Sequence, residues 1–265
     1  MVAKLFRVGN VLITYLLVLF VLAAVGTVLL RGLPYIPASL KTPELVFAVK
    51  LSLFTSLVST VACLLVAMPV AYTLARYSLP GQGIIANLLR IPLNLPPIVS
   101  GVCLLLLFGT TTFGETLARM GLRFVFTVPG IILAQFFVNV PFLITVLKAA
   151  IESTDIRLEY VARTLGCTPA RAFLKVTLPL IRNNALAGLI ITWGKALGEF
   201  GAVLMLAGAT RFKTETLPIS LYLNMATGDM EALMASAAIL ILIAVISLAL
   251  FEKAGIKLYE RVPGL

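Results

Sequence analysis

Residues 155–179 read DIRLEYVARTLGCTPARAFLKVTLP, a charged amphipathic stretch inside an otherwise overwhelmingly apolar chain. Leu158, Val161, Ala162 and Leu165 fall at i, i+3, i+4 and i+7, which makes one apolar stripe on a helix, and Glu159 and Arg163 pair across one turn of another face. Asp155 is placed to cap this helix. Gly166 supplies the residue that tolerates the left-handed conformation a helix end favours, and Thr168-Pro169 then reads as an N-cap with proline at the first helical position. A second helix follows, with Ala172, Phe173, Val176 and Leu180 at helical spacing and Arg171, Lys175 and Arg182 carrying positive charge. The element is helix, glycine turn, helix, and its charges keep it out of lipid.

Outward from this stretch the chain belongs in a bilayer. Of 265 residues 60% are hydrophobic and 12% charged, with a mean hydropathy of +1.08, far from the composition of soluble domains. A helix needs about 20 apolar residues to span, and six runs qualify, at about 11–30, 47–75, 92–109, 126–150, 183–208 and 232–251. The expected fold is an all-α integral membrane protein. A single transmembrane domain over 1–265 carries six spans, with a cytoplasmic helix-turn-helix loop, 152–182, between the fourth and fifth.

The formal charge of +10 is a matter of topology. With the N-terminus placed in the cytoplasm, 13 of the 21 basic residues fall inside: Lys4, Arg7, Arg76, Arg90, Lys148, Arg157, Arg163, Arg171, Lys175, Arg182, Lys253, Lys257 and Arg261. Seven fall outside, namely Arg31, Lys41, Lys50, Arg119, Arg123, Arg211 and Lys213, and Lys195 lies within a span. Positive charge accumulates on the cytoplasmic side, so both termini and the 152–182 loop are expected there and no nucleic-acid partner is implied. Lys4 and Arg7 before an apolar run resemble a signal peptide, but the run from Val11 to Leu30 is too long for one and reads as a retained first span. There is no histidine, and Cys63, Cys103 and Cys167 show no metal-ligand spacing and are expected to stay free, so neither a metal nor another cofactor is expected in the chain.

Two spans carry informative irregularities. The third opens on Pro92-Leu93-Asn94-Leu95-Pro96-Pro97-Ile98-Val99-Ser100-Gly101, and broken backbone at membrane depth is tolerated only where protein or a water-filled cavity shields it. Asn94, Pro96, Pro97 and Ser100 are therefore candidates for lining a translocation path, the alternative being a proline-kinked packing helix. Gln135 and Asn139 in the fourth span must find partners inside the bundle. In the fifth, Gly194, Gly198 and Ala202 form a small-residue face, and Lys195 and Glu199, four apart, are placed to neutralise each other. That pair either lines the path or braces the bundle.

The 155–179 stretch resembles the loop of membrane permease subunits of binding-protein-dependent ABC importers: E-A-A, three residues, G, nine residues, I, one residue, L-P. The matching positions are Tyr160-Val161-Ala162, Gly166, Val176 and Leu178-Pro179, with Tyr160 in place of the family's Glu, Glu159 one place earlier, and Val176 in place of Ile. The segment Gly198-Glu199-Phe200-Gly201-Ala202 with Thr216-Leu217-Pro218-Ile219 and Gly228-Asp229-Met230-Glu231-Ala232 is similar to the molybdate, tungstate and sulfate branch. The likeness runs from about Leu51 to Phe251 and leaves the first span outside.

The resemblance implies a multi-pass subunit in the cell membrane of a prokaryote, moving an oxyanion by alternating access. It implies a second copy of the chain, two separate ATP-binding subunits that hold ATP and Mg, and an extracytoplasmic substrate-binding protein as partners. It assigns coupling to the ATPase to Glu159, Tyr160, Val161, Ala162, Gly166, Thr168, Pro169, Arg171, Val176, Leu178 and Pro179. The chain has no G-x-x-x-x-G-K-[ST] loop to cradle nucleotide phosphates. A competing reading is a self-sufficient secondary carrier or channel, for which Lys195 and Glu199 are the midplane titratable groups. On residues alone, the loop could also be an amphipathic helix lying on the membrane surface.

Overall fold

A computed structural model describes residues 2–253, with side chains described for 6–249. Lys257 and Arg261 lie outside the described residues, as do the side chains of Lys4 and Lys253. All regular structure among the described residues is helical. In chain order the helices are α1 (Val2–Gly32), α2 (Pro43–Arg76), α3 (Gln82–Asn94), α4 (Pro97–Gly109), α5 (Thr112–Arg119), α6 (Val128–Glu152), α7 (Ile156–Thr164), α8 (Pro169–Leu197), α9 (Gly201–Ala207), α10 (Leu217–Thr227) and α11 (Met230–Lys253). Five of these, α1, α2, α6, α8 and α11, are long and apolar enough to cross a membrane. A sixth crossing exists only if α3 and α4, bent by 109° at Leu95–Pro96, are taken together.

The bundle is built on α2 and α6. Along α2 the buried positions Ala48, Ser52, Thr55, Ser56, Ser59, Thr60, Cys63, Ala67 and Ala71 recur every three or four residues, and almost all are small. In lipid, where apolar burial gives helices little reason to associate, such a face lets two backbones approach closely and gain dispersion contacts. One end of the contact is a core of Ala67, Ala71, Leu74, Leu143, Leu147, Ile151, Ile181 and Ala185 from α2, α6 and α8. Towards the other end Leu51, Leu104, Ile131, Ala134, Val203, Leu206 and Ile219 bring in α4, α9 and α10. By contrast α1 has none of its apolar window buried, and it meets α11 where Gly32 lies against Met234.

Gln135 and Asn139 meet the expectation only in part, since their amide nitrogens are bonded while Gln135 Oε1 and Asn139 Oδ1 are buried without a partner among the described residues. Gln135 Nε2 donates to the Ala196 carbonyl at 2.9 Å and to Thr55 Oγ1 at 3.4 Å, and Asn139 Nδ2 donates to the Gln135 carbonyl at 2.7 Å. The end of the bundle remote from α7 is tied by Glu215, fully buried, whose carboxylate accepts from Arg211 Nη1 at 3.2 Å while Arg211 Nη2 donates to Asn224 Oδ1 at 3.0 Å. Ser52 Oγ accepts the Leu217 amide at 2.7 Å, fastening the start of α10 to α2.

Two expectations are corrected. The 183–208 stretch is not one helix: α8 begins already at Pro169, ends at Leu197, and a break at Gly198–Phe200 precedes the short α9. The second helix of the 152–182 loop is thus the first part of α8. It continues past Pro179 because a π turn at Phe173–Thr177 widens the helix just before the proline ring, whose nitrogen has no hydrogen to donate. Among the described residues, the face of Gly194, Gly198 and Ala202 is also not a continuous packing seam within the chain, since nothing beyond the helix itself approaches Gly194 or Gly198. Close approach occurs instead between α4 and α9, where a Cβ on Gly101 would sit 2.8 Å from Ala202 Cα and 2.7 Å from Met205 Cβ.

Gly101→Ala must push these two short helices apart, a cost of about 1–3 kcal/mol for overpacking, whereas Gly26→Ala meets nothing within 4 Å. Thermal unfolding of the purified protein in detergent should place Gly101→Ala clearly below Gly26→Ala. Equal stability of the two variants would contradict the α4–α9 contact.

Candidate functional site

The 155–179 segment is assembled by local chemistry that the sequence announces. Asp155 Oδ1 accepts the Arg157 amide at 2.9 Å and caps α7, and Thr168 Oγ1 accepts the Arg171 amide at 3.3 Å and caps α8. Between them Gly166 adopts φ +88°, a left-handed conformation that a β-branched residue disfavours by about 1–2 kcal/mol. The turn closes with the Cys167 amide donating to the Ala162 carbonyl at 3.0 Å.

The two faces of α7 have different fates. Leu158, Val161 and Leu165 are 46%, 57% and 80% exposed, so the apolar stripe points away from the bundle, together with exposed Tyr160 and Arg163. Glu159 points the other way and is only 6% exposed. It does not pair with Arg163. Its Oε1 accepts from Arg76 Nε at 2.8 Å and from Thr177 Oγ1 at 2.8 Å, and its Oε2 accepts from Tyr72 Oη at 2.7 Å. Arg76 also donates from Nη2 to Thr154 Oγ1 at 2.6 Å and to the Thr154 carbonyl at 3.2 Å. Tyr72 lies edge-on to Phe173, ring centres 5.0 Å apart, so the π turn presents both Phe173 and Thr177 to this network.

Burial pushes the Glu159 carboxyl up, but the hydrogen bonds from Tyr72, Thr177 and Arg76, with the Arg76 charge, together hold it below the usual carboxylate range. A lowered value means the contribution to stability is fully present above the unfolded-state pKa and is lost as the pH falls through the folded one. The interaction is thus charged and intact at neutral pH. Removing one charged partner of a buried pair costs about 3–5 kcal/mol, because the other is left uncompensated.

The remaining coupling candidates are spread over exposed and half-buried positions. Gly166, Thr168, Pro169, Arg171 and Pro179 are exposed, and Ala162, Val176 and Leu178 are half-buried. Arg76, Tyr72 and Thr154 escaped sequence reasoning, although a lone arginine closing an apolar span was a signal. The stripe Ser52, Thr55, Ser56, Ser59 and Thr60 also went unread, and its helical spacing was plain in the sequence.

The path candidates divide. Pro97 lies where the two broken segments abut, since a Cβ on Gly201 would sit 3.0 Å from Pro97 Cβ and from the Ile98 nitrogen, and Glu199 stands two residues before Gly201. Ser100 is buried in α4 beside this junction, and Asn94, Pro96 and Pro97 are exposed. The pairing of Lys195 with Glu199 is corrected. The helix ends between them, so Glu199 turns to accept the Ala202 amide at 3.0 Å and caps α9, while Lys195 Nζ lies 5.4 Å from the centre of the Phe142 ring. No group of three or more His, Cys, Asp or Glu among the described residues could hold a metal ion.

Lys195 and Glu199 make no direct salt bridge, but the Lys195 charge still reaches the Glu199 carboxylate, so Lys195→Met and Glu199→Gln should couple in a double-mutant cycle by about 0.5–1 kcal/mol, well short of a buried ion pair. Unfolding titrations of the two single variants and the double variant measure it. A coupling of about 3 kcal/mol or more would restore the ion pair.

Over 212 residues the chain is 37% identical to the molybdenum transport system permease protein ModB of Mycobacterium bovis, covering 78% of each chain. It is 34% identical over 206 residues to the sulfate transport system permease protein CysW of Synechocystis sp., covering 77% of this chain and 75% of that one. Its fold matches a chain in the crystal structure of a bacterial alginate ABC transporter in complex with an alginate pentasaccharide-bound periplasmic protein, with a TM-score of 0.72, 19% identity, and 94% and 92% of the two chains covered. Residues 51–254 match the family described as binding-protein-dependent transport system inner membrane component, and the chain belongs to that family.

Proposed function

We propose that the chain is the transmembrane subunit of an ATP-driven oxyanion importer in a prokaryotic cell membrane, working as two copies with two separate ATPase subunits and an extracytoplasmic binding protein. The observation that carries this is the two-faced α7: one face is anchored to the bundle by Glu159, and the other offers Leu158, Val161 and Leu165 to water. An exposed apolar stripe on an anchored cytoplasmic helix is a surface for a partner. Permeases named for molybdenum and sulfate transport are the relatives, so molybdate, tungstate or sulfate is the substrate class.

Alternating access is the mechanism that membership of the family implies. The ATPases close on nucleotide, move α7 of each copy, and rock the helices attached to it, while the substrate passes along α4 and α9 near Pro97, Ser100 and Glu199. N- and C-termini and α7 face the cytoplasm, in accord with the 13 to 7 division of basic residues. Membership of a binding-protein-dependent family argues against the secondary carrier or channel.

Leu165 touches little within the chain, so Leu165→Glu should leave insertion unchanged and cut the ATPase subunit recovered with the chain about tenfold or more, a charge having been placed in an apolar contact. Co-purification of affinity-tagged chain with its ATPase measures this. Unchanged recovery would remove α7 as the docking surface.

A further inference from the structure

The Glu159 carboxylate takes bonds from residues on two different helices and, through Arg76, touches the end of a third element. Tyr72 and Arg76 belong to the last turn and a half of α2, Thr177 to the π turn of α8, and Thr154 to the segment that leaves α6. In sequence these partners lie 83 and 87 residues before Glu159 and 18 after it. The glycine turn at Gly166, by contrast, is an exposed joint that a Cβ would not touch, so it can serve as a pivot between α7 and α8. A loop held only by its two chain connections would swing on them when pushed. Here a buried ion pair, with side chains 7% and 8% exposed, closes a third connection.

We propose that Glu159 is a positioning residue that locks α7 to the cytoplasmic end of α2, so that displacement of the loop is delivered to α2 and, through the α2–α6 contact, to the whole bundle. This rests on the permease reading and adds to it the route of the force. It also assigns a reason for the acidic residue standing at 159: there the side chain faces the bundle, whereas position 160, occupied by Tyr160, faces water. The π turn has a place in the same device, because it delivers the Thr177 hydroxyl and the Phe173 ring to the partners of Glu159.

The test uses the complete complex with its ATPase and binding protein in proteoliposomes, and reads molybdate taken up per ATP hydrolysed. Glu159→Gln should assemble and hydrolyse ATP while that ratio falls about tenfold or more, as expected when a buried pair is broken. Tyr72→Phe and Thr177→Val, which remove one neutral donor each, should give smaller losses in the same ratio, and they decide the matter if Glu159→Gln does not assemble. In a background lacking the native cysteines, Arg76→Cys with Glu159→Cys should uncouple, and a short bis-methanethiosulfonate cross-linker, which forms a disulfide with each cysteine and releases sulfinate, should restore the ratio, since a covalent tie replaces the lock. An unchanged ratio in Glu159→Gln, or in both donor variants, overturns the proposal, as does a cross-link that forms without restoring it. If the unaltered chain recruits no ATPase, the permease reading fails instead, and the two failures are distinct.

Discussion

A carboxylate withdrawn from water is costly unless its oxygens are filled and its charge is met, and Glu159 satisfies both conditions with Arg76, Tyr72 and Thr177. The orientation of α7 depends on this interaction. With Glu159 turned inward, helical geometry forces Leu158, Val161 and Leu165 outward, and the loop becomes a handle rather than a strap lying on the bundle. The same network ties the first turns of α8 to α2 and α7, because Thr177 sits in its π turn ahead of Pro179.

A second constraint acts at membrane depth, where backbone that leaves a helix must be shielded. Both breaks in the spans, at Leu95–Pro96 and at Gly198–Phe200, are followed by short helices that pack on each other through Gly101, Ala202 and Gly201. The Glu199 carboxylate fills the open Ala202 amide at the start of α9. Two interrupted segments meet at one place with polar groups beside them, and the continuous pair α2 and α6 supplies the frame.

What was legible in the sequence was local or periodic. Asp155, Gly166 and Thr168 announced the turn because caps act within three residues, and the apolar runs of the long helices were unmistakable. The stripe of Leu158, Val161 and Leu165 was also periodic, and it has no internal partner. Misread features depended on distant contacts or on an assumed continuity. Glu159 looked equally suited to Arg163 one turn away, and only the fold brings Arg76 to it across 83 residues. Lys195 and Glu199 pair only if the helix continues between them, and the glycines at 198 and 201 were the sign that it does not.

Energy source is the point on which the account stands. Molybdate uptake should be measured in proteoliposomes holding the chain alone or with its ATPase and binding protein, with ATP on the cytoplasmic side and ion gradients either imposed or collapsed. The account predicts uptake only when all three proteins and ATP are present, and no change when the gradients are collapsed. Uptake by the chain alone, driven by a proton or sodium gradient, would contradict it.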